Sequence, residues 1–247
     1  MAPGTGPSQR VTTLAAVSSL AGAVWPELPE RPLLLVPLGA VEQHGHHLPL
    51  ATDTTVACAV AEAAVDDLPA ALLAPPLAYG ASGEHEEFPG TVSIGTEALA
   101  GLLVEYGRSA CRWAGRLLVV NGHGGNLDAL RAAVPLLRSE GRDVAWFPCA
   151  VAGADPHAGR TETALMLHVE PGSVRLERAV AGETAPLDEV LPRLREEGVR
   201  AVSPTGVLGD PDGASAEEGA ALLDGLAARL AGAVARWDVD PGGRLRG

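Results

Sequence analysis

The chain of 247 residues contains no lysine, three cysteines and few aromatics, with Phe, Tyr and Trp together at 3%. Each shortage excludes something. Without lysine there is no Gly-Lys-Ser/Thr phosphate loop, and no G-x-G-x-x-G is present either, so nucleotide binding has little support. Exclusive use of arginine points to genome composition rather than function. Cys58, Cys111 and Cys149 are odd in number and form no C-x-x-C pair, which argues against a disulfide framework or a zinc knuckle. Cys58 and Cys111 fall in helical patterns and read as small buried hydrophobes. No apolar run approaches the roughly 20 residues of a membrane helix. Positive charge is scarce too: 31 acids against 18 bases give a net charge of −13. That balance excludes nucleic acid or an anionic membrane as the main partner. With aromatics rare and 47% of residues apolar, the core must be built from Leu, Val and Ala.

Residues 1–10 carry Pro, Gly and Ser without pattern and read as a disordered tail. The stretch Val11–Pro26 faintly resembles a signal peptide, but Leu14, Val17, Leu20, Ala21 and Val24 suit one face of an amphipathic helix better. A cytoplasmic protein is the expectation. Leu33–Leu38 and Leu117–Val120 are continuous apolar runs, as in strands buried on both faces. Leu72–Leu77 is a short strand limited by Pro75 and Pro76, and Val144–Phe147 is a further one. Asp53 opens a helix with Val56 and Val60 inward. Helical periods follow over Glu97–Trp113, after Asn126 through Leu127, Leu130, Val134 and Leu137, and over Ala216–Trp237. Alternating strands and helices predict an α/β layered sandwich, a mostly parallel central sheet flanked by helices on both faces. Residues 11–240 read as one domain.

All but one of the seven histidines sit in four polar motifs: Glu42-Gln-His44-Gly-His-His47, Glu84-His85, Asn121-Gly-His123-Gly-Gly, and Asp155-Pro-His157-Ala-Gly. Asp53 and Glu162 close two of them. Imidazoles and carboxylates without thiolates suit zinc, iron(II) or manganese. Two of these motifs directly follow Leu33–Leu38 and Leu117–Val120, so they should share the crevice at the carboxyl ends of the strands. Glu42 and His44 lie two apart and point the same way in an extended segment. A carboxylate such as Asp53 can bridge two metals about 3.5–4 Å apart. His157 sits on a loop and Glu162 at a helix start, one as acid/base and the other as ligand. Glu84 and His85 precede the tight turn Phe88-Pro-Gly-Thr91, which would rim the pocket. His46 and His47 read as supporting or loop residues, and His168 as structural or surface. A non-catalytic metal-binding subunit is the alternative from another class.

The motifs Gly39-Ala-Val-Glu-Gln-His-Gly-His-His-Leu-Pro49, Phe88-Pro-Gly-Thr91, Asn121-Gly-His-Gly-Gly-Asn126 and His157-Ala-Gly-Arg-Thr-Glu162 resemble, in order and spacing, those of the creatininase family. Tyr79–His85, Leu103–Ala110, Gly153–Gly159 and Thr205–Pro211 are similar to a peptide-trimming subgroup of it. The resemblance implies a layered α/β fold with a two-metal centre, Fe2+ and/or Zn2+ with Mn2+ admitted, hydrolysing C–N bonds. It implies metal ligands at Glu42, His44, Asp53 (bridging) and His123, and a catalytic His157. The family's further glutamate follows an Asn-Gly-His-Tyr motif; Gly125 stands at that place, and Glu162 is the expected replacement. Glu84 and His85 are expected to orient substrate. The implied substrate is a modified short precursor peptide, cut near its C-terminus to release a cross-linked Val–Tyr-derived unit, by a homo-oligomer (hexamer or octamer). A cyclic amide hydrolase or formamide deformylase on the same scaffold is the alternative.

Overall fold

The structure is a computed structural model that describes residues 19–247. The expected tail over 1–10, and the part of the expected amphipathic helix before Ser19, lie outside the described residues. Leu20–Gly22 form a turn, and a single 3-10 turn follows at Trp25–Glu27, so the helical reading fails over Leu20–Val24. Leu20 instead donates its N–H to the carbonyl of Leu73 at 2.9 Å, which lays this segment along the sheet.

Among the described residues, four parallel strands form the centre in the order β2-β1-β3-β4: β1 Leu33–Leu38, β2 Ala71–Leu73, β3 Arg116–Asn121 and β4 Val144–Pro148. Their side chains alternate between two apolar layers. Leu33, Leu35, Leu118, Val120, Ala145 and Phe147 pack on one face, with α1 (Thr52–Val65), α4 (Arg160–Val169) and α7 (Ala216–Arg236). Leu34, Val36, Leu38, Leu117, Val119, Val144 and Trp146 pack on the other, against α2 (Thr96–Ala110) and α3 (Leu127–Ser139). Burial on both faces is why β1 and β3 read as unbroken apolar runs rather than alternating ones. Two short helices, α5 (Leu187–Glu197) and α6 (Val199–Val202), pack with Leu208 in a third, smaller cluster.

Pro37 lies in β1 with a strand on either side, an unusual place for a residue without an N–H. Its carbonyl accepts from Leu77 N at 2.9 Å, on the edge where β2 has already ended at Leu73. The donor that proline lacks would face that same edge, so no ladder bond of the sheet is lost. Pro75 and Pro76 shorten β2 to three residues, and Leu77 keeps a lone bridge to Leu38. Cys58, Cys111 and Cys149 are free and half-buried, and the first two are less enclosed than expected. Among the described residues no helix is long and apolar enough to cross a membrane.

Candidate metal centre

The site is assembled where β1 and β3 end side by side. Leu38 pairs with Asn121, and Gly122 N donates to Leu38 O at 2.8 Å. The first turn of α1 is wedged against both strand ends. A Cβ at Gly39 would lie 2.4 Å from Thr54 Cα, and one at Gly122 would lie 2.3 Å from the Asp53 carbonyl oxygen. Glycine at these two positions is what lets Asp53 come down between the strands. The buried amide of Asn126 ties the loops together. Its Nδ2 donates to Gly39 O at 3.0 Å and to Asn121 Oδ1 at 3.1 Å, and its Oδ1 accepts from Ala81 N at 2.9 Å. His157 enters from the loop after β4, paired by backbone with Leu208.

Glu42, His44, Asp53, His85, His123 and His157 are each at most 6% exposed and converge on one point. Asp53 lies between two histidines, with Oδ1 3.2 Å from His44 Nε2 and Oδ2 3.4 Å from His123 Nδ1. Glu42 Oε2 is 3.2 Å from His123 Nε2, and its Oε1 is 3.3 Å from His85 Nε2 and 3.7 Å from His157 Nδ1. Glu162 Oε2 is 3.8 Å from His44 Nε2 and accepts the Ala158 N–H at 2.6 Å. Ala158 is held at a φ of +53°, a left-handed conformation beside His157 that turns this N–H toward the carboxylate. Among the described residues, donor atoms close enough for a shared cation fall into three groups: Glu42–Asp53–His123, His44–His157–Glu162 and Glu42–His85–His157.

Among the described residues, both carboxylate oxygens of Glu42 and Oδ2 of Asp53 have no hydrogen-bond partner. A buried carboxylate oxygen left without one costs several kcal/mol unless a cation answers it, on the order of the penalty for an unpaired buried charge. The donor set of oxygens and imidazole nitrogens therefore fits divalent metals of the zinc, iron or manganese kind. The electrostatics agree. Burial, and then the charge of Asp53, pushes the Glu42 carboxyl up to about 8. Asp53 is held below its ordinary value despite its burial, because His44 and His123 flank it. Against the lowering that burial imposes, Asp53 and the other acids raise His44 to about 10. His123 is raised in the same way, against its own burial, by Glu42, Asp53 and Glu84. His85 is lowered to about 3 and His157 well below 6.5, both by burial and then by neighbouring histidines.

The residues singled out in the sequence thus come together, with differences of degree. His85 is buried inside the cluster rather than standing on a rim. Glu84 is half-exposed at the edge, 3.6 Å from His123 Nε2. A Cβ at Gly125 would lie 2.5 Å from Glu84 Oε1, so the Glu84 carboxylate covers this glycine. His46 and His168 are exposed and take no part. His47 is buried and bonds through Nε2 to Thr163 Oγ1 at 2.9 Å, fastening the motif after β1 to the helix that carries Glu162. Sequence reading missed Gln43, whose amide lies within 3.0 Å of both His85 and His157. Alternation in an extended strand places it opposite Glu42 and His44. The turn at Gly45, with φ of +65°, is the signal that alternation stops there.

The family model "Creatininase: Creatinine amidohydrolase" matches residues 22–234. The chain is 56% identical over 219 residues to the mycofactocin precursor peptide peptidase of Mycolicibacterium smegmatis, covering 87% of this chain and 89% of that one. It is 54% identical over 239 residues to the protein of the same description from Mycobacterium tuberculosis, covering 93% and 95%. Among solved structures, a mutant creatininase of Zn-Zn type superposes with a TM-score of 0.75 at 26% identity, over 90% of this chain and 99% of that one. A creatininase with Mn superposes at 0.72 and 27% identity, over 90% and 98%. Sequence, fold and the strand-end cluster agree that the chain belongs to the creatininase family, as a hydrolase acting on C–N bonds.

Proposed function

We propose that the chain is a metal-dependent peptidase that cuts an amide bond near the C-terminus of a modified short peptide, the mycofactocin precursor that its relatives' description names. The observation that carries the metal-dependent part is the buried trio Glu42–Asp53–His123 with its unpartnered carboxylate oxygens, continued through Asp53 to His44 and Glu162. Glu42, Asp53 and His123 would hold one ion, and His44, Asp53 and Glu162 the other. Bound there, the pair supplies Lewis acidity toward water and the scissile carbonyl.

The chain's own residues do the rest. His157, kept neutral by burial, faces Glu42 through Nδ1 at 3.7 Å and can take a proton from the attacking water. It then delivers that proton to the departing amine, so the proton count closes within one turnover. Glu84, half-exposed at the mouth, is placed to meet a donor group of the peptide. The test is incubation of the purified chain with the modified precursor peptide, read by mass spectrometry beside metal analysis of the same sample. Release of a cross-linked C-terminal unit, lost together with metal in His44→Ala, is the expected result. Full turnover by metal-free protein would overturn the metal-dependent reading. Release of formate or an opened ring from rival substrates, with the peptide left intact, would overturn the peptidase reading.

A further inference from the structure

Gln43 is a buried amide whose orientation the backbone dictates. Gly45 N donates to its Oε1 at 2.9 Å, and its Nε2 donates to the Gly206 carbonyl at 3.0 Å. A flipped amide would set oxygen against oxygen at Gly206 and N–H against N–H at Gly45. One hydrogen on Nε2 then remains, with two ring nitrogens within reach: His85 Nδ1 at 2.9 Å and His157 Nε2 at 3.0 Å. The backbone carbonyl of Gln43 makes the choice. It lies 2.7 Å from His157 Nε2, and a carbonyl only accepts, so that nitrogen carries a hydrogen and cannot receive another. The last amide hydrogen goes to Nδ1 of His85.

In a neutral imidazole one nitrogen donates and the other accepts. His85 accepts at Nδ1, so it is neutral and protonated at Nε2. His157, 6% exposed and packed between the His44 and His85 rings at 4.2 and 4.5 Å, has no room for a second charge and is bare at Nδ1. Those are the two atoms that face Glu42 Oε1, at 3.3 Å and 3.7 Å. We infer that Gln43 is a positioning residue that makes the two histidines beside Glu42 chemical opposites, His157 presenting a lone pair and His85 an N–H. Two consequences follow. Of the three groups of donors, Glu42–His85–His157 cannot hold a cation through His85, which leaves the groups containing Asp53 and Glu162. Resting on the peptidase reading above, the His85 N–H also serves as a hydrogen-bond donor to the oxygen of the amide under attack, while His157 accepts the proton of water.

Long-range proton–nitrogen correlation spectra of the full chain, labelled with 15N-histidine and assigned with His85→Asn and His157→Asn, read the tautomers directly. Both rings should be protonated at Nε2, and His85 should keep that proton when zinc is added. In Gln43→Glu the side chain can no longer donate, so His85 should pass to the Nδ1-protonated form while His157 stays as it was. Gln43→Met should leave His85 a mixture of the two forms. With the peptide substrate, Gln43→Glu should lower kcat on the order of 100-fold, the scale of losing one aimed donor, with KM changed much less. A proton on Nδ1 of His85 in the wild type, a bare Nε2 on His157, or an unchanged His85 in both Gln43 variants would overturn the inference. Loss of the His85 proton on zinc binding would do so as well. The tautomers are read without turnover, so failure to cleave the peptide strikes the proposed function and not this assignment.

Discussion

Glu42 and Asp53 are both buried, yet burial and then the charge of Asp53 push one carboxyl up to about 8, while His44 and His123 hold the other low. Asp53 has a ring on each oxygen, whereas Glu42 also faces two rings that burial keeps neutral. Neighbouring acids driven apart in this way mark a site built for charge that arrives with a ligand. In the proposed two-ion site, Glu162 is the residue on which the second ion would depend. Glu162→Gln should reduce tightly held metal from two ions per chain to one and weaken the second site at least ~10-fold, checked by elemental analysis and titration with Zn2+. His47 gives a prediction about pH. The unfolded chain protonates this ring below its ordinary 6.5, but the fold, by burying it, delays uptake to about 4. The unfolded state thus binds more protons in that window, so the contribution is complete above pH 6.5 and is lost as pH falls toward 4. At about 1.4 kcal/mol per unit, the shift from 6.5 to about 4 bounds the loss at roughly 3.5 kcal/mol. His47→Gln, which can still bond Thr163, should flatten denaturant-measured stability across pH 4–6.5 relative to wild type.

At the scale of elements, the site depends on how closely α1 can seat against β1 and β3. Gly122→Ala would drive a methyl into the Asp53 carbonyl, so the helix must retreat. A cost of about 1–3 kcal/mol by urea unfolding is expected, along with weaker metal binding because Asp53 moves with the helix. Asn126→Ala should cost more than a single bond, since it strands Gly39 O and Ala81 N together, each at about 1–3 kcal/mol. These close approaches explain what was legible in the sequence and what was not. Leu33–Leu38 and Leu117–Val120 announced themselves because parallel strands buried on both faces have no polar positions, and His44 and His123 followed from where those runs stop. Glu162 was reachable too, because Gly159 ends the loop and places it in a first helical turn. The contribution of Gln43 was hidden, since its partners lie 42, 114 and 163 residues away and no local period reports them. Helix α5 was hidden for the opposite reason: it buries one residue, Leu194, and so writes almost no apolar stripe.

For the molecule as a whole, the sum of charge poses the question. A chain of net charge −13 gathers Glu42, Asp53 and Glu162 at the carboxyl ends of its two central strands, where histidines answer only part of their charge. Folding without a cation must therefore either protonate Glu42 or leave its two oxygens unpaired, and the rise of that carboxyl to about 8 shows which way the fold leans. A divalent ion removes the conflict in the folded state and finds no preformed site in the unfolded one, so its binding energy becomes stability. At a free concentration 100 times the dissociation constant, one site contributes about 2.7 kcal/mol. For a chain of this length that corresponds to roughly 5–10 °C in Tm. Calorimetry before and after exhaustive chelation should show a fall of that size, restored by Zn2+ or Mn2+ and absent in a Glu42→Gln/Asp53→Asn double variant that no longer carries the charges. The apo protein should also gain stability relative to the metal-loaded one as pH falls from 8, since the acid whose folded value is raised binds its proton in the native state first. An apo protein as stable as the loaded one at pH 8 would mean that the histidines alone balance these carboxylates, and the case for a cation at Glu42 would be lost.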